Sequence, residues 1–504
     1  MYKFSTLFLL SLLFSSFQLN AQVKVYHQGI AQTNVNFRGG PVTLAQQDIT
    51  TSEAGTVVVR FDGYGLVDIG DRLIVAASNT ADWGVNSGNV GLEAYNSDQN
   101  RRPFSHTRTY TVGAGNHSFY AVGENWVEQD GSGVASVYGS LTVKFYPNSG
   151  TMAKVASVEI EQSGVNVRAA TTSLASLDIN APIAGTVVLN FDGSCISSPG
   201  DRILLAANEA VAWQSNNGQC SVEAYDNDLN ASSFSHSRAY PVSAGTHTFY
   251  AVAQNYVETA GTGDISVYGN FTAEFFPDTI GDASSQMAPI VSTNTAMRGA
   301  PISLNSLSFD VPAAGKVLVH FNGYGIPDVG DRMILAASNQ ADWSVNDGQV
   351  GIEAVDGDLN RMAFSHSRMY DVTPGTQTFY AVAENYVETE GSGSGSVYAN
   401  LTYQYFPNTV TTDIEDLETR NLFESVVLSP NPSNGLFKLS LSGVAKRDFN
   451  VQIRDTQGRM IQQSTLAAGP NAQLELDLRY LPAGIYFLSL NDGQGMLSRK
   501  IIIE

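Results

Sequence analysis

One spacing dominates this sequence. Trp83, Trp213 and Trp343 stand 130 residues apart, as do Asp71, Asp201 and Asp331, and Pro147, Pro277 and Pro407. The register holds through three signatures: Gly-Asp-Arg (70–72, 200–202, 330–332), Phe-Ser-His (104–106, 234–236, 364–366) and Phe-Tyr-Ala-Val (119–122, 249–252, 379–382). Solenoid units repeat every ~20–50 residues because none can bury its own apolar face. A period of 130 is instead the size of a domain with its own core. The sequence therefore predicts three domains, 22–148, 149–278 and 279–408, strung like beads with short joints near 148–154 and 278–287.

Each unit reads as all-β. Val57, Val59 and Phe61 alternate with Val58 and Arg60. Val137, Leu141, Val143 and Phe145 alternate with Tyr138, Ser140, Thr142 and Lys144. A period of two marks a strand with one buried face. Gly-rich turns such as 113–115 and 130–133 separate the runs. About eight to ten short strands per unit, with no helical period, predict a two-sheet, jelly-roll-like β-sandwich. The runs Thr246–Val252 and Ser266–Gly269 loosely resemble the jelly roll of complement-type and tumour-necrosis-factor-like domains.

The chain begins with export. Lys3 is followed by an apolar run from Phe4 to Phe17, and Ala21 offers a small residue for cleavage. That run falls short of the ~20 residues a membrane span requires, so residues 1–21 read as a secretory signal peptide. No cysteine follows the signal, which argues against a lipid anchor, and no later stretch is apolar enough to span a bilayer. With 27 Lys+Arg against 48 Asp+Glu, the net charge is −21. A chain so acidic repels phosphate, which argues against nucleic-acid partners and anionic membrane surfaces. The two cysteines, Cys195 and Cys220, lie in one unit of an exported chain, and a disulfide between them is expected.

Beyond a polar, acidic linker (409–424) the chain changes character. Residues 425–504 open with the turn cluster Pro430-Asn431-Pro432-Ser433-Asn434-Gly435-Leu436-Phe437. The turn Gly458-Arg459, the run Leu481-Pro482-Ala483-Gly484-Ile485-Tyr486 and a terminal Lys500-Ile501-Ile502-Ile503 follow. This order of motifs resembles the type A C-terminal sorting domain of the type IX secretion system of Bacteroidota. The resemblance implies the type IX machinery as a partner, passage across the outer membrane, and a small C-terminal β-sandwich. It also implies release into the medium or attachment at the cell surface.

Several constellations invite chemistry. Ser105-His106, Ser235-His236 and Ser365-His366 suggest a nucleophile and base, but neighbours on a strand point to opposite faces and no nucleophile elbow surrounds them. Asp71, Glu93 and Glu128, with Arg72 and Arg108, recur in the units. They admit either a glycosidase carboxylate pair or cross-strand ion pairs. Asn96-x-Asp98-x-Asn100, Asp226-x-Asp228-x-Asn230 and Asp356-x-Asp358-x-Asn360 place oxygen ligands at alternate positions, as calcium requires, and as ordinary turns also do. Trp83, Trp213 and Trp343, and Trp126 with its counterparts Tyr256 and Tyr386, are flat rings among Asn, Asp and Glu, a composition suited to stacking against sugars. The expected function is a secreted or surface-bound, non-enzymatic, multivalent binding protein, with polysaccharide or surface glycan as the ligand class. A structural spacer without a small ligand and a carbohydrate-active hydrolase are the alternatives. No cofactor is expected, calcium being the one candidate.

Overall fold

The computed structural model describes residues 22–84, 88–95, 100–128, 131–149, 151–213, 219–227, 230–257, 261–278, 283–343, 348–357, 360–387, 391–408, 425–442, 449–455, 459–467, 472–491 and 496–504. The signal peptide (1–21) and the linker (409–424) lie outside them. The described residues are strands and connections, with no helix. Two compact units divide the chain, one ending at Asn408 and the other following it.

The first repeat runs β1 (Lys24–Asn36), β2 (Val42–Thr51), β3 (Gly55–Leu66), β4 (Asp71–Ser78), β5 (Val90–Glu93), β6 (Arg101–Val112), β7 (Gly115–Glu128) and β8 (Val134–Pro147). The second runs β9 (Lys154–Asn166), β10 (Thr172–Ala181), β11 (Gly185–Ile196), β12 (Arg202–Asn208), β13 (Cys220–Glu223), β14 (Ala231–Val242), β15 (Gly245–Val257) and β16 (Asp264–Pro277). The third runs β17 (Ser284–Ala296), β18 (Ile302–Val311), β19 (Gly315–Pro327), β20 (Arg332–Ser338), β21 (Val350–Glu353), β22 (Met362–Val372), β23 (Gly375–Val387) and β24 (Ser394–Pro407). Each repeat folds into two four-stranded antiparallel sheets, β1-β8-β3-β6 and β2-β7-β4-β5 in the first and their counterparts in the others. Eight strands shared in this order between two facing sheets make a jelly roll.

The sandwich core sits where the alternation placed it. Val57, Val59 and Phe61 of β3 meet Leu73 and Val75 of β4 and Leu141, Val143 and Phe145 of β8, all buried. The close approach of β3 to β8 depends on a glycine. Gly63 has φ 150°, and a Cβ there would lie 2.1 Å from the Tyr138 carbonyl oxygen. Gly193 and Gly323 repeat the arrangement.

The opposite face of β3 and β8, read from the sequence as solvent-facing, is also buried, and this overturns the string of separate beads. Val58, Val188 and Leu318 pack with Tyr146, Phe276 and Phe406 in one apolar cluster drawn from all three repeats. One step along the same strands, Lys144 Nζ donates to Glu274 and, at 3.0 Å, to Gln404, while Gln404 Nε2 reaches Glu274 at 3.4 Å. These three occupy equivalent positions, so their mutual contact places them on a pseudo-threefold axis. Arg60, Asn190 and His320 form the neighbouring layer. Arg60 Nη1 lies 2.9 Å from the His320 ring nitrogens, and Asn190 donates to Glu274 at 3.3 Å. Burial strips Lys144 of hydration and lowers its pKa, against the pull of Glu274. The sequence pattern concealed this core because many of its residues are polar and meet their partners only across the repeats. Period-two alternation separates the two faces of a strand but does not say which is wet.

The hydroxyls of the Phe-Ser-His strands close the ring. Ser105 and Thr107 donate to Asp192 at 2.9 and 2.6 Å. Ser237 donates to Asn322 at 2.5 Å, and Asn322 Nδ2 donates to Ser235 at 2.9 Å. Ser365 and Ser367 donate to Asp62 at 2.9 and 2.6 Å. Each repeat thus engages the next, and the third returns to the first, as in a cyclic homotrimer whose head-to-tail interfaces close on themselves.

The C-terminal unit has its own small two-sheet core. Its strands are β25 (Ser425–Ser429), β26 (Leu436–Ser442), β27 (Phe449–Asp455), β28 (Met460–Leu466), β29 (Gln473–Asp477), β30 (Gly484–Asn491) and β31 (Met496–Ile503), in the orders β25-β26-β29 and β28-β27-β30-β31. Phe437, Leu439, Val451, Ile453, Leu488 and Ile501 fill its centre.

The expected disulfide is not formed. Cys195 on β11 and Cys220 on β13 are free thiols, fully buried in the second repeat's core. Burial raises both pKa values, that of Cys220 to about 12. They act here as small apolar side chains. At the matching Gly65 and Gly325, a Cβ would press on Leu92 at 3.0 Å and Ile352 at 2.4 Å, whereas the second repeat has the smaller Val222. The exchange conserves volume, and the fold is kept without a bridge.

Candidate functional site

The Ser-His pairs divide as strand geometry requires, serine toward the neighbouring repeat and histidine into its own sandwich. His106, His236 and His366 each accept, through Nδ1, the backbone N–H of Ala77, Ala207 and Ala337 at 3.0 Å. The Gly-Asp-Arg aspartates are structural. Asp71 accepts from Asn125 at 2.6 Å and from the Gly133 N–H at 2.7 Å, and Asp201 and Asp331 likewise accept from Gly263 and Gly393. The exchange of His117 and His247 for Gln377 preserves one bond, since all three reach the carbonyl four residues earlier, at 2.8–3.0 Å. Arg108 reaches Glu159 of the second repeat at 3.5 Å, and the Glu128 side chain lies outside the described residues.

Of the calcium candidates, Asn96, Asp98, Asp228 and Asp358 lie outside the described residues. Asn230 and Asn360 donate side-chain amides to the carbonyls of Asn227 and Gly357, both at 3.0 Å, as turn residues do. The carbonyls of Asn100 and Asn230 accept the N–H groups of Val67 and Ser197 at 3.2 Å. Asp226 and Asp356 flank the same turns. Among the described residues no three acidic, His or Cys side chains cluster as a metal site would need.

The two sets of loop aromatics, far apart in sequence, meet. Trp83 and Trp126 stand edge to face with centroids 5.2 Å apart, Trp213 and Tyr256 at 5.8 Å, and Trp343 and Tyr386 at 5.9 Å. One ring of each pair is fixed and the other is free to be touched. The indole N–H groups donate to Glu124, Gln254 (at 2.5 Å) and Glu384 on the strand that also carries the second ring. Trp126, Tyr256 and Tyr386 remain 57–58% exposed.

Two of these pairs overhang seams between repeats. In the first seam Trp83, Trp126, Arg72 and Glu93 face Ser194, Ile196, Asn230, Ala231 and Tyr268 around a cleft of about 230 Å³. In the second, Trp213, Tyr256 and Arg202 face Tyr324, Arg361 and Tyr398 around about 220 Å³. Arg72, Arg202 and Arg332 clamp Glu93, Glu223 and Glu353 within their own repeats. Arg361 and Arg101 add a second cation from the neighbouring repeat, at 3.8 Å from Glu223 and 3.2 Å from Glu353. Tyr324 stacks on Tyr398 and Tyr64 on Tyr138, 5.1 and 5.2 Å between centroids. The sequence singled out Arg72 and Glu93 but not the seam tyrosines or Arg101 and Arg361. Their signal was a break in the repeat: Ser194 and Ala231 stand where the other copies carry tyrosine and arginine.

In the tail, the sorting motifs hold the chain's last strand. Asn431 donates to the Lys500 carbonyl at 2.7 Å and accepts the Ile502 N–H at 2.9 Å. Gly435, at φ 98°, passes so close to Arg479 that a Cβ would meet its backbone at 2.8 Å. Phe437 and Tyr486 are core, and the Tyr486 hydroxyl donates to the Pro482 carbonyl at 3.0 Å. Arg459 pairs with Asp455 at 2.7 Å, Gly484 opens β30, Pro430 and Pro432 flank Asn431, and Gly458 lies outside the described residues. Residues 428–504 match the family profile of the secretion system C-terminal sorting domain. The tail is a type IX sorting domain. The chain is therefore exported to the cell surface or extracellular space and engages the type IX machinery. Among the described residues no helix is long and apolar enough to cross a membrane.

No curated protein matches the chain. Among solved structures, similarity is found to the FMN-binding β-glucuronidase of Facaelibacterium prausnitzii L2-6 (10% identity, 39% of this chain and 32% of that one, TM-score 0.14). It is also found to the Bifidobacterium dentium β-glucuronidase complexed with coumarin-3-O-glucuronide (9%, 45% and 49%, 0.14) and to the Ruminococcus gnavus β-glucuronidase (11%, 45% and 45%, 0.14). The chain spans at most about half the length of these enzymes. At that TM-score the similarity carries no conclusion about fold or activity.

Proposed function

We propose that the chain is an exported, non-enzymatic glycan-binding protein that presents aromatic contacts at the seams of a three-repeat ring. The observation that carries this reading is the repeated pair of rings, one fixed by an indole hydrogen bond and the other exposed, beside Arg, Glu and Asn. Exposed rings stack on the C–H faces of sugars while neighbouring polar groups take up hydroxyls. The Ser-His and Arg-Glu groups are engaged in holding the fold, which favours binding over hydrolysis. Three copies on one body supply avidity toward a polymer without new contacts.

A glycan array probed with residues 22–504 tests the proposal, followed by affinity electrophoresis of Trp126→Ala, Tyr256→Ala and Tyr386→Ala. Each single change is expected to weaken retention modestly and the triple change to abolish it, with stability moving by only about 0.5 kcal/mol per exposed site. Absence of binding across the array would leave the spacer reading, and release of reducing sugar would establish the hydrolase.

A further inference from the structure

The first seam differs from the other two in a coordinated way. In the second and third seams a tyrosine and an arginine of the protein itself stand beside the exposed ring. A tyrosine ring, Tyr324 or Tyr64, lies on the tyrosine opposite, and an arginine, Arg361 or Arg101, reaches the glutamate of the adjoining repeat. In the third seam Arg101 packs so tightly that a Cβ on Gly351 would meet its Cδ at 2.9 Å. In the first seam both fillers are gone at once. Ser194 replaces the tyrosine that would cover Tyr268, and Ala231 replaces the arginine that would reach Glu93. Tyr268, Glu93, Ser194 and Ala231 line the same cleft, with Trp126 at its edge. What has been removed is a flat six-membered ring and a cation, and the surfaces that received them remain.

We infer that the first seam is a ligand site for an amine-bearing sugar, a deacetylated hexosamine unit within a polysaccharide. This rests on the glycan-binding reading and names its site and ligand class. A pyranose ring has the dimensions of the missing phenol and stacks on Tyr268 through its C–H face. The ammonium takes the place of the missing guanidinium beside Glu93, making a charge-assisted hydrogen bond. Asn230, Ser194 and Arg72 along the walls suit hydroxyls. A net charge of −21 draws a cationic polymer toward the surface and repels uronic-acid polymers.

The test is calorimetric titration of residues 22–504 with glucosamine oligosaccharides, with their N-acetylated forms, with cello-oligosaccharides, and with a short Tyr-Arg peptide. The amine-bearing oligosaccharide is expected to bind about tenfold or more tighter than either neutral one, the scale of one charge-assisted contact. The decisive variant refills the seam: Ser194→Tyr with Ala231→Arg. The same pair is already accommodated in the other two seams, so the melting temperature should hold while binding of the amine-bearing sugar falls at least to the neutral-sugar level. Glu93→Gln should remove the preference for the amine and leave weak neutral-sugar binding. Glycan binding without preference for the amine, or unchanged by the refilled seam, would overturn this inference and leave the glycan-binding reading standing. No glycan binding at all would overturn both. Equal or tighter binding of the peptide would overturn the assignment of a sugar.

Discussion

The two sheets of each repeat turn similar apolar faces toward the sandwich between them and differ in what covers their backs. The sheet containing β3 and β8 backs onto the other repeats, so Val58, Arg60 and Asp62 are buried. On the back of the sheet containing β4 and β7, Ile74, Ala76 and Val122 are buried while Trp126 at its end stands exposed. Both backs alternate polar with apolar residues in the sequence. Polarity reports burial only when the partner is known: a back that meets its own copies can be polar and dry.

The comparison breaks most completely if one repeat is removed from its neighbours. Expressed alone, residues 149–278 should lack a cooperative melt or associate, because Val188, Phe276 and an unpaired Glu274 would face water or each other. A cooperative monomer in calorimetry and sedimentation would restore the bead model. Next in size is a change within the axis. Lys144→Met leaves Glu274 buried without its cation and should cost about 3–5 kcal/mol, while adding Glu274→Gln should recover much of the loss. Chemical denaturation of both variants checks this, and a single variant within 1 kcal/mol of wild type (roughly the scale of an exposed pair) would mean the axis is wet. The smallest effect is acidic. Burial lowers His27 to about 4 from its ordinary 6.5, opposed by Asp62, and also lowers His320, helped by the nearby Arg60 charge. The unfolded chain therefore takes up these protons first, so stability should be whole above pH 6.5 and decline toward pH 4. His27→Gln should flatten part of that slope, and an unchanged melting profile across this range would contradict it.

Strand positions, the sandwich and the sorting tail were legible in the sequence because each is written in local periodicity or in a run of motifs. Burial of the Ser-His serines and of Lys144 was not, because it depends on contacts 87–303 residues distant. The meeting of Trp83 with Trp126 was hidden for a similar reason: β4 leads into one loop, β7 carries the other ring, and only their pairing brings the two together. The site's asymmetry was visible as two broken repeat positions, 194 and 231, but their meaning required knowing that they face one cleft.

The axis of Lys144, Glu274 and Gln404 has a consequence for life outside the cell. Three identical copies could not assemble around it, since three lysines or three glutamates would bury like charge in one place. Only a single polypeptide that supplies one of each, in order, completes the set. Its stoichiometry is settled at translation, and each copy faces the others at an effective concentration fixed by the chain. A ring made of separate subunits would fall apart as it diffused away from its producer. This one is indifferent to dilution, so a lone molecule in the medium keeps all its seams.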